Sequence, residues 1–265
     1  MVRLLSGIAL AAAAVASILF LPTLALRVLA CTVSALAAHE YLKIVKADAA
    51  AIALVVVLCW LVSGGPEGDG LFLLMGPFLS IAALGWVAIL VLFLGRPVHT
   101  AAAGIFAPIY IGAPLGMLAF VHSFRGSRAT LLLIFTVVVS DSLQYYSGRM
   151  FGRHPLAPTI SPKKTIEGAI GGGVGGTLFM ALAGPWVFPE ASRASLGLLG
   201  LAIVLLGIGG DLFESRLKRD AGVKDSAALI PGHGGVLDRI DALLFAAPAF
   251  FLYALVVAGL NAGSL

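Results

Sequence analysis

The sequence reads as an all-α protein, a polytopic transmembrane helical bundle of about nine spans with a cytoplasmic N-terminus, on grounds of composition, run length and charge sidedness. Hydrophobic residues make up 60% of the 265 and charged residues only 11%, with a mean hydropathy of +1.05; soluble domains carry about 25% charged residues. The apolar residues fall in runs near the roughly 20 residues that carry a helix across about 30 Å of hydrocarbon. Within lipid such runs must be helical, because only the helix satisfies its own backbone donors and acceptors.

The first two spans, Leu4–Leu21 and Leu24–Leu42, are parted by Pro22 and Thr23, which suits a tight helical hairpin or one long broken helix. Arg3 before an Ala-rich run also fits a signal peptide, but the chain passes straight into further spans, which favours retention. Lys43 and Lys46 separate the second span from Ala49–Gly64, and Glu67 and Asp69 separate that one from Leu71–Leu94. Arg96 precedes Ala101–Val121, and Arg125 and Arg128 precede Ala129–Ser147. A polar loop, Gly148–Glu167, leads to the seventh span, Gly168–Phe188; Glu190 and Arg193 precede Ala194–Phe213. A second polar loop, Glu214–Gly235, leads to the last span, Val236–Leu260.

Placed on this scheme, Arg3, Lys43, Lys46, Arg96, Arg149, Arg153, Lys163, Lys164, Arg216, Lys218, Arg219, Lys224 and Arg239 share one side, and the other holds Arg125, Arg128 and Arg193. Cytoplasmic loops are the ones enriched in Lys and Arg, so both polar loops face the cytoplasm and the C-terminus lies outside. The formal charge of +4 comes largely from that surface. Lys43, Lys46 and Arg96 are read as topology and headgroup contacts. Arg27, near the outer end of the second span, is read as snorkelling to the interface without a functional role. Cys31 and Cys59 each stand alone within a span and are read as packing residues. With polar segments of at most about 20 residues, the chain forms one integral membrane domain, 1–265. Its generic spans lie in 1–121, and the half that carries chemistry is 129–260.

That chemistry concentrates where the oily chain turns polar, S-R-L-K-R-D-A-G-V-K-D-S-A-A-L-I-P-G-H-G-G-V-L-D-R-I-D from Ser215 to Asp241. Asp211 and Glu214 end the eighth span and Asp238 and Asp241 begin the ninth, each pair at a spacing of three and so on one helical face. Crowded carboxylates repel, and a proton or a cation relieves them. An oxygen-only ligand set selects a hard ion, magnesium where a nucleoside triphosphate supplies further oxygens. The alternative pairs each acid with a local base, such as Asp238 or Asp241 with Lys218 or Arg239. Lys218, Arg219, Lys224 and Arg239 are suited to phosphate oxygens. Around Gly232, Gly234 and Gly235 a backbone without Cβ atoms suits an anion-binding concavity, and His233 between them suits donation or proton relay.

Asp141 lies near the cytoplasmic end of the sixth span, flanked by Ser140, Ser142 and Gln144. Against lipid it would cost about 2.5–3.5 kcal/mol, so it faces protein, water or an ion. Lys164-Thr165 lacks the G-x-x-x-x-G-K-[ST] context of a P-loop. Gly168, Gly172 and Gly176, with Gly171 and Gly175 beside them, recur every four residues and are read as a close helix-packing face, within one chain or between two in a homodimer. Ser161, Lys163, Lys164 and Thr165, just before it, are read as phosphate contacts.

The run from Ser215 to Asp241 resembles the pattern of the phosphatidate cytidylyltransferases, or CDP-diglyceride synthetases. It matches S-x-apolar-K-R at Ser215, Leu217, Lys218 and Arg219, K-D at Lys224 and Asp225, and P-x-H-G-G-apolar-x-D-R-apolar-D from Pro231 to Asp241. Asp141, Tyr145–Arg149, Phe151-Gly152 and the run from Ser161 to Gly168 resemble the family's other polar region; where members often carry a small residue before the tyrosine, this chain has Leu143-Gln144.

The resemblance implies transfer of a cytidylyl group from CTP to phosphatidate in the bilayer, without a nucleic acid partner, in the inner membrane of a prokaryote. It implies catalytic roles for Ser215, Lys218, Arg219 and His233, and substrate contacts from Ser161, Lys163, Lys164, Thr165, Lys224, Gly234, Gly235 and Arg239. It also implies Mg2+ on Asp141, Asp211, Asp238 and Asp241, with scope for a second cation. Transfer to another lipid phosphate, such as an ether-linked isoprenoid one, is an alternative. Transport is another, although transporters place their polar residues near the midplane rather than at helix ends.

Overall fold

The computed structural model describes residues 2–64, 98–227 and 234–262. The fourth expected span, Leu71–Leu94, and His233 with its neighbours Pro231 and Gly232 lie outside them. The described elements are α1 (Val2–Phe20), α2 (Thr23–Ile44), α3 (Ala51–Gly64), α4 (Val98–Ala107), a π-turn (Pro108–Gly112), α5 (Ala113–Arg125), α6 (Ser127–Phe151), β1 (Pro155–Ala157), β2 (Ser161–Thr165), α7 (Ile166–Ala183), α8 (Arg193–Asp220) and α9 (Leu237–Ala262). Among the described residues six helices are long and apolar enough to cross a membrane, and Ala9–Phe20 and Ala51–Gly64 are shorter apolar ones.

Proline sets several of the breaks. The first two helices separate at Pro22, whose extended backbone precedes α2, and α1 makes its main contacts with α6 rather than with α2 as a tight hairpin would. Pro108 and Pro114 each lack a helical donor, and between them the chain passes through the π-turn, Ala113 N–H reaching back to the Pro108 carbonyl. A glycine, Gly126 at φ +79°, forms the corner between α5 and α6.

Helices near the polar loops outrun their hydrophobic windows. α6 continues to Phe151 rather than stopping at Ser147, and α8 continues two turns past Phe213. The end of α8 is a Schellman motif: Gly222, at φ +73°, donates to the Arg219 carbonyl at 3.0 Å, and Val223 N–H to the Lys218 carbonyl at 2.9 Å. The all-α expectation needs one correction, because part of the first polar loop is an antiparallel hairpin pairing Pro155 with Thr165 and Ala157 with Ser161. Glu167, at the start of α7, holds its base by accepting from the backbone N–H groups of Arg153 and His154 at 3.0 and 3.3 Å, and it pairs with His154 Nδ1 at 2.6 Å.

Two apolar cores lie within the bundle. One joins α5 to α9 through residues such as Val121, Leu133, Met180, Ile203 and Phe250; the other joins α2, α3 and the π-turn to α9 through Tyr41, Val55, Ile111 and Leu244. The last helix belongs to both: its first turn, at Leu237 and Ile240, packs in the second core, and its later turns, from Ala246 to Val257, in the first. Cys31 and Cys59 are free and buried, as expected of packing residues. Arg27 donates to Ser63 Oγ at 3.1 Å and lies 4.3 Å over the Trp60 ring, tying α2 to the end of α3.

The glycine face of α7 packs as expected. Gly168, Gly172, Gly176 and Met180 are its buried residues, while Ile170, Val174, Leu178 and Leu182, on the same four-residue period, are more than half exposed on the opposite face. A Cβ on Gly172 would stand 2.8 Å from the Ser140 carbonyl, and one on Gly168 2.7 Å from that of Gln144. Gly172→Ala is therefore expected to lower stability by about 1–3 kcal/mol through forced separation of α6 and α7. Gly173→Ala, whose Cβ would meet nothing within 4 Å, is expected to be neutral or slightly stabilising. Unfolding midpoints of the two variants in detergent check the contrast.

Candidate active site

A cavity of about 1110 Å³ opens at the end of the bundle where α6 and α8 finish and α7 and α9 begin. α6 supplies Asp141, β2 supplies Lys163, Lys164 and Thr165, and α8 supplies Asp211, Glu214 and Lys218. The loop after α8 brings Lys224, Asp225 and Gly234, and α9 brings Asp238, Arg239 and Asp241. Helical spacing explains the α8 set, since 211, 214 and 218 fall on one stripe. Residues far apart in sequence thus line one hollow, and opposite charges alternate around it.

The centre of this arrangement is a buried ion-pair chain. Lys218 Nζ donates to Glu214 Oε2 at 2.7 Å and to Asp238 Oδ1 at 2.5 Å. The side chains of Glu214 and Asp238 are 1% and 9% exposed, so the ammonium compensates two carboxylates withdrawn from water. Asp238 Oδ2 accepts from Ser226 N–H at 3.0 Å, Ser226 Oγ at 2.9 Å and Gly235 N–H at 2.8 Å. Of the four expected metal ligands, Asp238 is therefore the most heavily bonded, and a metal role there requires Lys218 to move. The ion-pair alternative weighed for this residue describes the geometry.

Across the cavity Lys164, from β2, forms an ion pair with Asp211, and Ser215 Oγ donates to Asp211 Oδ1 at 3.3 Å. Asp141 accepts from Gln144 Nε2 at 3.0 Å, so the glutamine at which the chain departs from the family's usual pattern is a direct partner of this acid. Asp141, Asp211 and Asp241 line the same cavity and repel one another across it. Glu214 Oε1 is buried without a hydrogen-bond partner. Among the described residues no three carboxylate, histidine or cysteine side chains stand close enough as placed to hold a metal ion; the oxygen-only donors and the orphaned Glu214 Oε1 are nonetheless features that a hard divalent cation would relieve.

Other expected residues are placed differently. Arg219 is not among the residues that line the cavity, and it donates to the Val223 carbonyl at 3.1 Å beside the α8 terminus. Ser161 pairs with Ala157 at the hairpin's turn and does not line the cavity. Gly235 was expected to turn its amide to an anion; the anion it meets is Asp238 of its own chain. Gly234, at φ +80°, does line the cavity, and a Cβ there would press on Asp238 Oδ2. Thr165 lines it too, while its Oγ1 caps α7 by accepting from Gly168 N–H at 3.1 Å.

Sequence reasoning passed over Glu40. This residue of α2 is 3% exposed and accepts from Ser226 Oγ, Val236 N–H and Leu237 N–H at 2.8–2.9 Å. A carboxylate alone in an apolar run is itself the signal that could have found it.

Comparison with known proteins gives the family. The sequence model of the cytidylyltransferase family matches residues 1–257. A phosphatidate cytidylyltransferase of Helicobacter pylori (strain 26695) is 34% identical over 233 residues, 78% of this chain and 86% of that protein. Phosphatidate cytidylyltransferases of Aquifex aeolicus and Haemophilus influenzae are 44% and 47% identical, each over 46% of this chain and over 45% and 44% of their own lengths respectively. The matched region thus spans about half the length of these two relatives. With the family pattern matched along nearly its whole length, the chain belongs to the cytidylyltransferase family.

Proposed function

We propose that the protein is an enzyme of phospholipid biosynthesis that transfers a cytidylyl group from CTP to phosphatidate, forming CDP-diacylglycerol and pyrophosphate. The observation that carries this reading is the convergence of Asp141, Lys164, Asp211, Lys218, Asp238 and Asp241, from four separate elements, on one cavity at the end of the bundle. A site at helix ends suits a water-soluble nucleotide meeting a lipid headgroup, whereas transport sites lie near the midplane. The excess of Lys and Arg at this end supports a cytoplasmic site, a cytoplasmic N-terminus and the full nine spans in a prokaryotic inner membrane.

In the reaction an oxygen of the lipid phosphate attacks the α-phosphorus of CTP, a new P–O bond forms, and the bond to the bridging oxygen of pyrophosphate breaks. Phosphatidate is already ionised near pH 7, so no strong general base is required; positioning and charge compensation carry the rate. Lys163, Lys164, Lys224 and Arg239 line the cavity where two polyanions must meet, and they lower the repulsion between them. Lys218 holds Asp238 and Glu214 in place, and Ser215 orients Asp211. His233 belongs to the same loop by sequence and would donate to phosphate. Asp141, Asp211 and Asp241 would have to draw together to hold magnesium, joined by Asp238 only on release of Lys218; the ion would supply neutralisation and Lewis acidity at the nucleotide phosphates.

The test is incubation of purified protein in detergent with CTP labelled at the α-phosphate, magnesium and phosphatidate, with an ether-linked isoprenoid phosphate in parallel. Label is expected in lipid only with phosphatidate, with one pyrophosphate released per lipid product. Transfer to the ether lipid alone would move the assignment to that substrate, and absence of lipid-dependent pyrophosphate release would remove it.

A further inference from the structure

We infer that Glu40 is a positioning residue for this site, a carboxylate that reaches from α2 across the bundle to fix the loop after α8 and the first turn of α9. Helix N-termini leave backbone N–H groups without intrahelical partners, and here two of them, at Val236 and Leu237, are taken by Glu40 Oε1 and Oε2 at 2.9 and 2.8 Å. The cap is supplied in trans, since the carboxylate lies nearly two hundred residues before the helix it caps.

The same group reaches the site itself. Ser226 Oγ lies 2.8 Å from Glu40 Oε2 and 2.9 Å from Asp238 Oδ2, so its single proton serves one carboxylate at a time and the hydroxyl sits between the two. Asp238 in turn holds Lys218 at 2.5 Å. Gly235 sits against this junction, where a Cβ would collide with both Ser226 Oγ and Glu40 Oε2. Glu40 itself does not line the cavity. It therefore acts through Ser226 and the start of α9, setting where Asp238, Arg239 and Asp241 stand, and it gives the generic N-terminal spans a part in the chemistry. The charge also suits the positive end of the α9 dipole.

The inference rests on the transferase reading for its activity readout, and the test separates the two. Glu40→Gln keeps side-chain length but turns one acceptor into a donor facing an N–H or O–H group. In the purified full chain, kcat per folded molecule is expected to fall by about 10–100-fold, as for loss of other supporting contacts. Glu40→Asp should recover part of that loss. Glu190→Gln, which breaks the Arg125–Glu190 pair at the other end of the bundle, provides a stability control with unchanged kcat. Amide hydrogen exchange at Val236 and Leu237 should quicken in Glu40→Gln and remain slow in the control. A Glu40→Gln kcat within about twofold of the parent, or equal protection of the two amides, would overturn the inference. Should the parent protein fail to transfer cytidylyl groups, the functional reading falls, and amide exchange alone decides the positioning role.

Discussion

Asp211→Asn is expected to lower cytidylyl transfer by about 10²–10³-fold, the range found when one preorganised electrostatic contact to a transition state is removed. Stability should change far less. The Lys164–Asp211 pair is partly exposed, with side chains 22% and 35% accessible, and such pairs contribute up to about 1 kcal/mol. Asn retains an acceptor oxygen for Ser215 Oγ, so the local helix face is preserved. Lipid-product formation measured beside the unfolding midpoint in detergent separates the two effects, and a loss of activity explained by loss of fold would contradict the assignment.

Lys218→Met should show the opposite balance, with fold lost before chemistry can be assessed. Methionine matches the length of the lysine stem and keeps its packing, yet it leaves Glu214 and Asp238 without the ammonium that now bridges them at 2.7 and 2.5 Å. Removing one member of a buried ion pair costs about 3–5 kcal/mol, most of it the uncompensated charge left behind. Adding Glu214→Gln should return part of the stability without restoring turnover, because it removes one of the two stranded charges. Lys164→Met, at the more exposed pair, should unfold close to the parent temperature. The order of unfolding midpoints among these variants checks the account, and a Lys218→Met protein as stable as the parent would show that the ion-pair chain is not compensating buried charge.

Much of this was legible from residue order. Hydropathy placed the described helices, and the spacing of Asp211 with Glu214 and of Asp238 with Asp241 put acids on shared faces because helical periodicity is local. The four-residue glycine period of 168–176 gave a close-packing face for the same reason, while its partner, α6, came only from the folded chain. What escaped was non-local or small. The pairing of Lys164 with Asp211 depends on how a short hairpin folds over α8, and three prolines, Pro155, Pro158 and Pro162, make that hairpin read as loop. Arg219 reads as a phosphate ligand, and only the folded α8 terminus shows its guanidinium donating to the Val223 carbonyl. Asp238 and Asp241 are equivalent by spacing, and only packing shows one saturated by Lys218, Ser226 and Gly235 while the other shares electrostatic space with Asp141 and Asp211. Glu40 escaped because its partners lie at the far end of the chain.

The shared carboxylate centre is tested most directly by manganese binding, followed by electron paramagnetic resonance, to purified protein with CTP present. Saturable binding by the parent chain, abolished in Asp211→Asn and in Asp241→Asn while both remain folded, is the predicted result. Equal binding by the parent and both variants would contradict it.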